Sequence, residues 1–114
     1  MFSNRHIISF LFFILSSGAG IAQESKFVPI GTEEGLMDLT ITAIDQDDRG
    51  YMWIGTRNGL HRYGGYDFKV YSNDPIDDST LSSNVVICML VDSDGYIWVG
   101  TEDDGLNRLD PISG

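Results

Sequence analysis

The chain repeats itself once, in a register of 45 residues. Residues 44–56 read IDQDDRGYMWIGT and residues 89–101 read MLVDSDGYIWVGT. Asp47 matches Asp92, Gly50 matches Gly95, Trp53 matches Trp98, Gly55 matches Gly100 and Thr56 matches Thr101. The similarity continues as Gly59-Leu60 against Gly105-Leu106, displaced by one residue because Asp104 is extra. Upstream, Leu36 and Ile41 correspond to Leu81 and Val86. Both tryptophans of the chain fall in register, so chance is a poor explanation. A repeat of this length is one supersecondary unit, which cannot bury its faces alone and needs stacked neighbours.

Each unit reads as short strands separated by turns. Thr40 to Asp45 is a run rich in β-branched residues. Asp47-Asp48-Arg49-Gly50 is a turn, with carboxylates that accept from nearby backbone N–H groups and a glycine free to take positive φ. Tyr51 to Thr56 is a second strand, Leu60 to Tyr63 a third and Phe68 to Tyr71 a fourth. Four strands in about 45 residues is the size of one propeller blade. No stretch has a helical period. The expected fold is all-β, built of propeller blades: about two four-stranded repeats of a larger, incomplete propeller. A two-layer sandwich would explain the strands but not the register.

Alternation places Tyr51, Trp53 and Gly55 on one face of the second strand and Met52, Ile54 and Thr56 on the other. Both faces are largely apolar, so the strand expects cover on both sides. The glycine two positions after the tryptophan leaves room for a close neighbour.

The first stretch stands apart. Met1 to His6 carries Arg5, Ile7 to Leu15 is apolar, and Gly20-Ile21-Ala22 presents small residues for cleavage. This is the layout of a secretory signal peptide over residues 1–22. The apolar run is shorter than the roughly 20 residues that span a bilayer, which disfavours an uncleaved anchor. Residues 23–39 form a lead-in, in which Phe27-Val28-Pro29-Ile30 reads as a strand able to close a ring. Residues 40–84 are the first repeat with its Asp- and Ser-rich linker, and residues 85–114 the second, which lacks a fourth strand. Propellers close with four to eight blades. The 92 residues after the leader therefore read as a segment of a longer protein, expected to fold poorly or to associate when alone.

Composition narrows the function. The formal charge is -10, and removal of Arg5 makes it -11, which argues against a nucleic-acid surface. The lone Cys88 excludes an internal disulfide and reads as a buried small hydrophobe. Asp45, Asp47 and Asp48 before Gly50, and Asp92 and Asp94 before Gly95, invite a calcium reading. The loops are too short for a twelve-residue site, and strand turns account for them. Glu102, Asp103 and Asp104 read as a solvated turn. No catalytic residue, cofactor or metal site is expected. His61 reads as a partly exposed blade residue, matched by Asn107 in the second repeat. Tyr63, Tyr66 and Arg57 are candidates for contact with a sugar, though blade packing or ordinary surface is the stronger reading of each.

The pattern D-x-x-G-x-x-W-[IV]-G-T-x-x-G-L-x-R resembles the two-component regulator propeller repeat. Over residues 24–114 the chain is similar to the start of a hybrid two-component sensor histidine kinase of the Bacteroidetes type. That resemblance implies further blades of a parent protein as partners, commonly in two seven-bladed propellers, with a membrane span and a kinase downstream. It implies a periplasmic segment that senses ligand, with oligosaccharides the expected class, in a homodimeric parent anchored in the inner membrane. It also puts the phosphoacceptor on a cytoplasmic helix, away from His61. A segment of a secreted propeller enzyme, lyase-like, or of a glycan-binding propeller is the alternative.

Overall fold

The computed structural model describes residues 26–113, so the expected leader lies outside the described residues. A short 3-10 turn, Thr32–Glu34, precedes four strands: β1 (Ile41–Gln46), β2 (Met52–Thr56), β3 (Gly59–Tyr63) and β4 (Phe68–Tyr71). Three more follow: β5 (Val86–Val91), β6 (Ile97–Thr101) and β7 (Leu106–Leu109). They form a four-stranded antiparallel sheet in the order β1-β2-β3-β4 and a three-stranded sheet in the order β5-β6-β7. This strand-after-strand order is that of propeller blades, as the sequence implies.

The sheets repeat one another in register as well as in sequence. Ile44 pairs with Ile54 in the first blade, and Met89 pairs with Val99 in the second. Both inner strands carry an irregularity at the same place, between Ile41 and Ala43 and between Val86 and Cys88. An extra residue there twists the strand and changes which side chains face the neighbour.

The core lies between the two sheets. β1 runs beside β5, and the Trp53 face of the first blade packs on the second. Trp53, Leu60, Val86, Ile97 and Val99 are all essentially inaccessible to water. Tyr51, Tyr71, Met89, Val91 and Leu109 pack around them, half-buried. The linker is ordered across the top of this core. Asn73 donates through its backbone to Asn84 Oδ1 at 2.7 Å and through Nδ2 to the Leu81 carbonyl at 2.8 Å.

Phe27, Val28 and Ile30 are exposed and unpaired among the described residues, where the last blade that such a strand would join is not present. Two expectations need correction. Cys88 is exposed rather than buried, because the bulge sets it on the outer face of the second blade. Cover on both faces of β2 holds for the Trp53 side; Met52 and Ile54 on the other side stay half-buried among the described residues.

Candidate functional site

The repeat motif is a device for holding one turn and one tryptophan. Asp47 Oδ1 accepts from the Arg49 and Tyr51 backbone N–H groups, each at 3.0 Å, and Oδ2 accepts from Trp53 Nε1 at 2.9 Å. Asp92 does the same: Oδ1 accepts from Asp94 and Tyr96, and Oδ2 from Trp98 Nε1 at 2.7 Å. The Trp98 bond is the main reason the Asp92 carboxyl lies below its usual range. Gly50 and Gly95 close the turns at φ 92° and 90°, which suits glycine. Both carboxylate oxygens of each aspartate are thus spent on protein donors. Among the described residues, no three His, Cys, Asp or Glu side chains converge as a metal set.

The next motif residues act on the following turn. Thr56 Oγ1 donates to the Gly59 carbonyl at 3.1 Å and accepts from Asn58 N–H at 2.9 Å. Thr101 repeats this with Gly105 and Asp104, at 2.9 and 3.1 Å. The arginine that ends the motif stacks on the aromatic that precedes the second strand of its blade. The Arg62 guanidinium lies 4.5 Å from the Tyr51 ring centre, and Arg108 lies 4.5 Å from that of Tyr96. At Gly55 the second blade comes close: a Cβ there would lie 2.6 Å from Val86 Cγ1.

Sequence reading alone missed four contacts. Asp45 Oδ2 accepts from the Val91 backbone N–H at 2.9 Å, tying the inner strands of the two blades. Arg57 and Glu102 approach to 3.8 Å across the blade edges. His61 Nε2 accepts from the Met37 backbone N–H at 3.1 Å, while Asn107 Oδ1 accepts from Ser82 N–H at 3.2 Å. In each blade the middle of the third strand therefore latches the segment that leads into the first. The signal was present as a shared capacity to accept, hidden under two different residue types.

His61 is wholly buried rather than partly exposed, because the lead-in at Met37 and the Phe68 ring, edge-on to it, cover it; its Nδ1 has no hydrogen-bond partner. Because Nε2 accepts, the single ring proton sits on Nδ1. Burial depresses the pKa below its ordinary 6.5, against smaller upward effects from the Gly59 and Ile54 backbone and from Asp38. A depressed folded-state value means the unfolded chain binds more protons below about 6.5, so stability falls as pH drops through that range. The urea midpoint of the wild-type chain is expected to fall between pH 7 and pH 5. His61→Asn, which mimics Asn107, is expected to flatten that dependence, and an unchanged pH slope would show that His61 is not its source.

The candidate sugar contacts do not converge. Tyr66 is 94% exposed, Tyr63 donates its hydroxyl to the Gly65 carbonyl at 3.1 Å, and Arg57 faces Glu102. A groove of about 620 Å³ instead runs between the outer edges of the blades, lined in part by Tyr71, Asp74, Leu81, Asn107 and Arg108.

Known proteins show the same arrangement. The profile of the two component regulator propeller family matches residues 35–58 and 80–103. Histidine kinase P4 of Formosa agariphila is 41% identical over 66 residues, covering 54% of this chain and 5% of that protein. The solved extracellular domain described as that of hybrid two component system BT3049, from B. thetaiotaomicron, superposes with a TM-score of 0.71 at 26% identity, over 75% of this chain and 12% of that one. The extracellular domain of BT4673 from the same organism gives 0.57 at 27% identity, over 60% and 10%. The chain thus spans a small part of each relative. The family profile falls twice on the chain, once on each sheet and in the register of the Asp-Trp anchor, so both repeats are similar to the two-component regulator propeller repeat.

Proposed function

We propose that this chain is a periplasmic ligand-sensing propeller segment of a two-component sensor of the hybrid histidine kinase type, with oligosaccharides as the ligand class. The observation that carries the reading is the stacking of two family repeats in the manner of extracellular sensor domains. The apolar stretch followed by Gly20-Ile21-Ala22 supports export. The acidic surface suits a neutral ligand better than a polyanion.

In this reading the motif residues Asp47, Trp53, Asp92 and Trp98 are structural. They hold blades rigid, so that a ligand bound on the propeller surface biases how two parent molecules sit together. The remaining blades, the second parent molecule and the membrane anchor belong to the same proposal. Neither catalytic residues nor a cofactor are assigned to this segment.

The test is calorimetric titration of a panel of neutral and acidic oligosaccharides into the complete extracellular region of the parent. One neutral class is expected to saturate with a dissociation constant on the order of 1 μM to 1 mM, and the acidic ones to bind more weakly. A folded region that binds none of the panel would overturn the oligosaccharide assignment. A gene product without a membrane span or kinase would overturn the sensor reading independently.

A further inference from the structure

The two blades latch their leading segments in the same way, but the first latch is made by a group that titrates near neutral pH. His61 Nε2 accepts from the Met37 N–H at 3.1 Å, whereas Asn107 Oδ1 accepts from the Ser82 N–H at 3.2 Å. The Asn107 latch has a second bond, from Nδ2 to Ser82 Oγ at 2.7 Å. The other nitrogen of His61 is buried without a hydrogen-bond partner, which raises the cost of the closed arrangement. On either side of Met37 the lead-in bonds to itself, from the Gly35 N–H to the Thr32 carbonyl at 3.2 Å and from the Thr40 N–H to Asp38 Oδ1 at 2.8 Å. Leu36, 6% exposed, anchors it beside the latch, so at neutral pH the open form is a minor population.

We propose that protonation of His61 opens this latch, so that the lead-in of the first blade is released as pH falls below neutral while the equivalent segment of the second blade stays held. A protonated imidazole donates from both nitrogens. Its Nε2–H then meets the Met37 N–H, donor against donor, and the ring has no acceptor left. In the open form the ring reaches water and titrates near its ordinary 6.5. Burial holds the closed ring below that value, so opening binds a proton and grows as pH falls through about 6.5. The charges around the ring do not reverse the sign. From the lead-in, Asp38 favours the protonated ring, but less than burial opposes it, and Glu33 and Glu34 are exposed. β1, β2 and β4 place Ile44, Ile54 and Val70 in its row. Arg62 of β3 and Lys69 of β4 lie over Tyr51 and Tyr71, on the opposite face. Tyr63, on the face of His61, gives its hydroxyl proton to the Gly65 carbonyl. Opening of the latch is a local event, separate from the loss of overall stability, and it does not depend on which ligand the propeller takes.

The experiment follows amide hydrogen exchange in the complete extracellular region, by mass spectrometry with fragmentation that resolves Met37 and Ser82. Protection factors correct each amide for its own intrinsic rate at each pH. Between pH 7 and pH 5 the protection of Met37 is expected to fall by up to about 25-fold, the limit for a ring that titrates at its ordinary value only when open. Ser82 is expected to keep its protection, as a control within the same molecule. His61→Asn is expected to remove the pH dependence at Met37, whatever the level of protection it leaves. Constant protection of Met37 in the wild type would overturn the proposal. An equal fall at Met37 and Ser82 would overturn it too, because the whole fold would then be loosening. A folded His61→Asn variant that keeps the fall would assign the titration to another group. Should that variant not fold, the comparison of Met37 with Ser82 in the wild type decides alone.

Discussion

Asp47→Ala is expected to lower the unfolding free energy of the chain by about 3 kcal/mol. The side chain is 6% exposed and accepts three hydrogen bonds. Its removal leaves the Trp53 indole N–H and two turn N–H groups without acceptors, in a place water reaches poorly. The indole is fully buried at the centre of the core, so the loss spreads into the packing of both blades. Asp47→Asn separates charge from geometry. It keeps an acceptor for the turn but sets an amide N–H against the indole N–H, and is expected to recover only part of the loss. Asp92→Ala removes the same set of bonds from a less enclosed site and is expected to cost less. Urea unfolding monitored by tryptophan fluorescence reads all three, and equal losses at positions 47 and 92 would contradict this account of burial.

Gly55→Val is expected to be the second large effect. An added Cβ would lie 2.6 Å from Val86 Cγ1 and 3.2 Å from Thr42 Oγ1. A strand would ordinarily welcome valine. Here it acts as a wedge between blades, expected to cost about 2 kcal/mol or more. Val86→Ala alone leaves a cavity and also destabilises, by about 1–3 kcal/mol. Placed together, the larger side chain fills the space the smaller one vacates. The double variant is therefore expected to be more stable than the sum of the single losses predicts. Strict additivity in that cycle would show that the two residues do not share a junction. Gly100→Ala is a useful comparison, because its added carbon would crowd the Cys88 thiol, which can move, rather than the neighbouring blade.

The strands were legible because their signals are local. Positions such as Ile54 and Trp53 alternate between faces, and Gly50 and Gly95 mark turns, so all the strands fall within a residue or two of where alternation puts them. The Asp-Trp anchor was half legible. The carboxylate was readable as a turn former, but its second oxygen reaches a side chain six residues on, which only the pleat of β2 brings round. Cys88 was misread because composition favours burial for a free cysteine, whereas the bulge before it decides the face it takes. His61 and Asn107 share no residue type that a repeat pattern would pick out, yet both accept from the lead-in backbone.

What the sequence by itself determined is the unit: a 45-residue register, four short strands, two turns closed by glycine, and a family whose profile falls on that register. These follow from neighbours in the chain, whose spacing translates directly into pleat and turn. What only the tertiary structure decided is the order in which the units meet. That Gly55 receives Val86, that Asp45 bonds Val91 and that Arg57 faces Glu102 depend on how one twisted sheet lies on the next. Pairs so far apart in sequence are joined by shape and burial, and no local pattern encodes them.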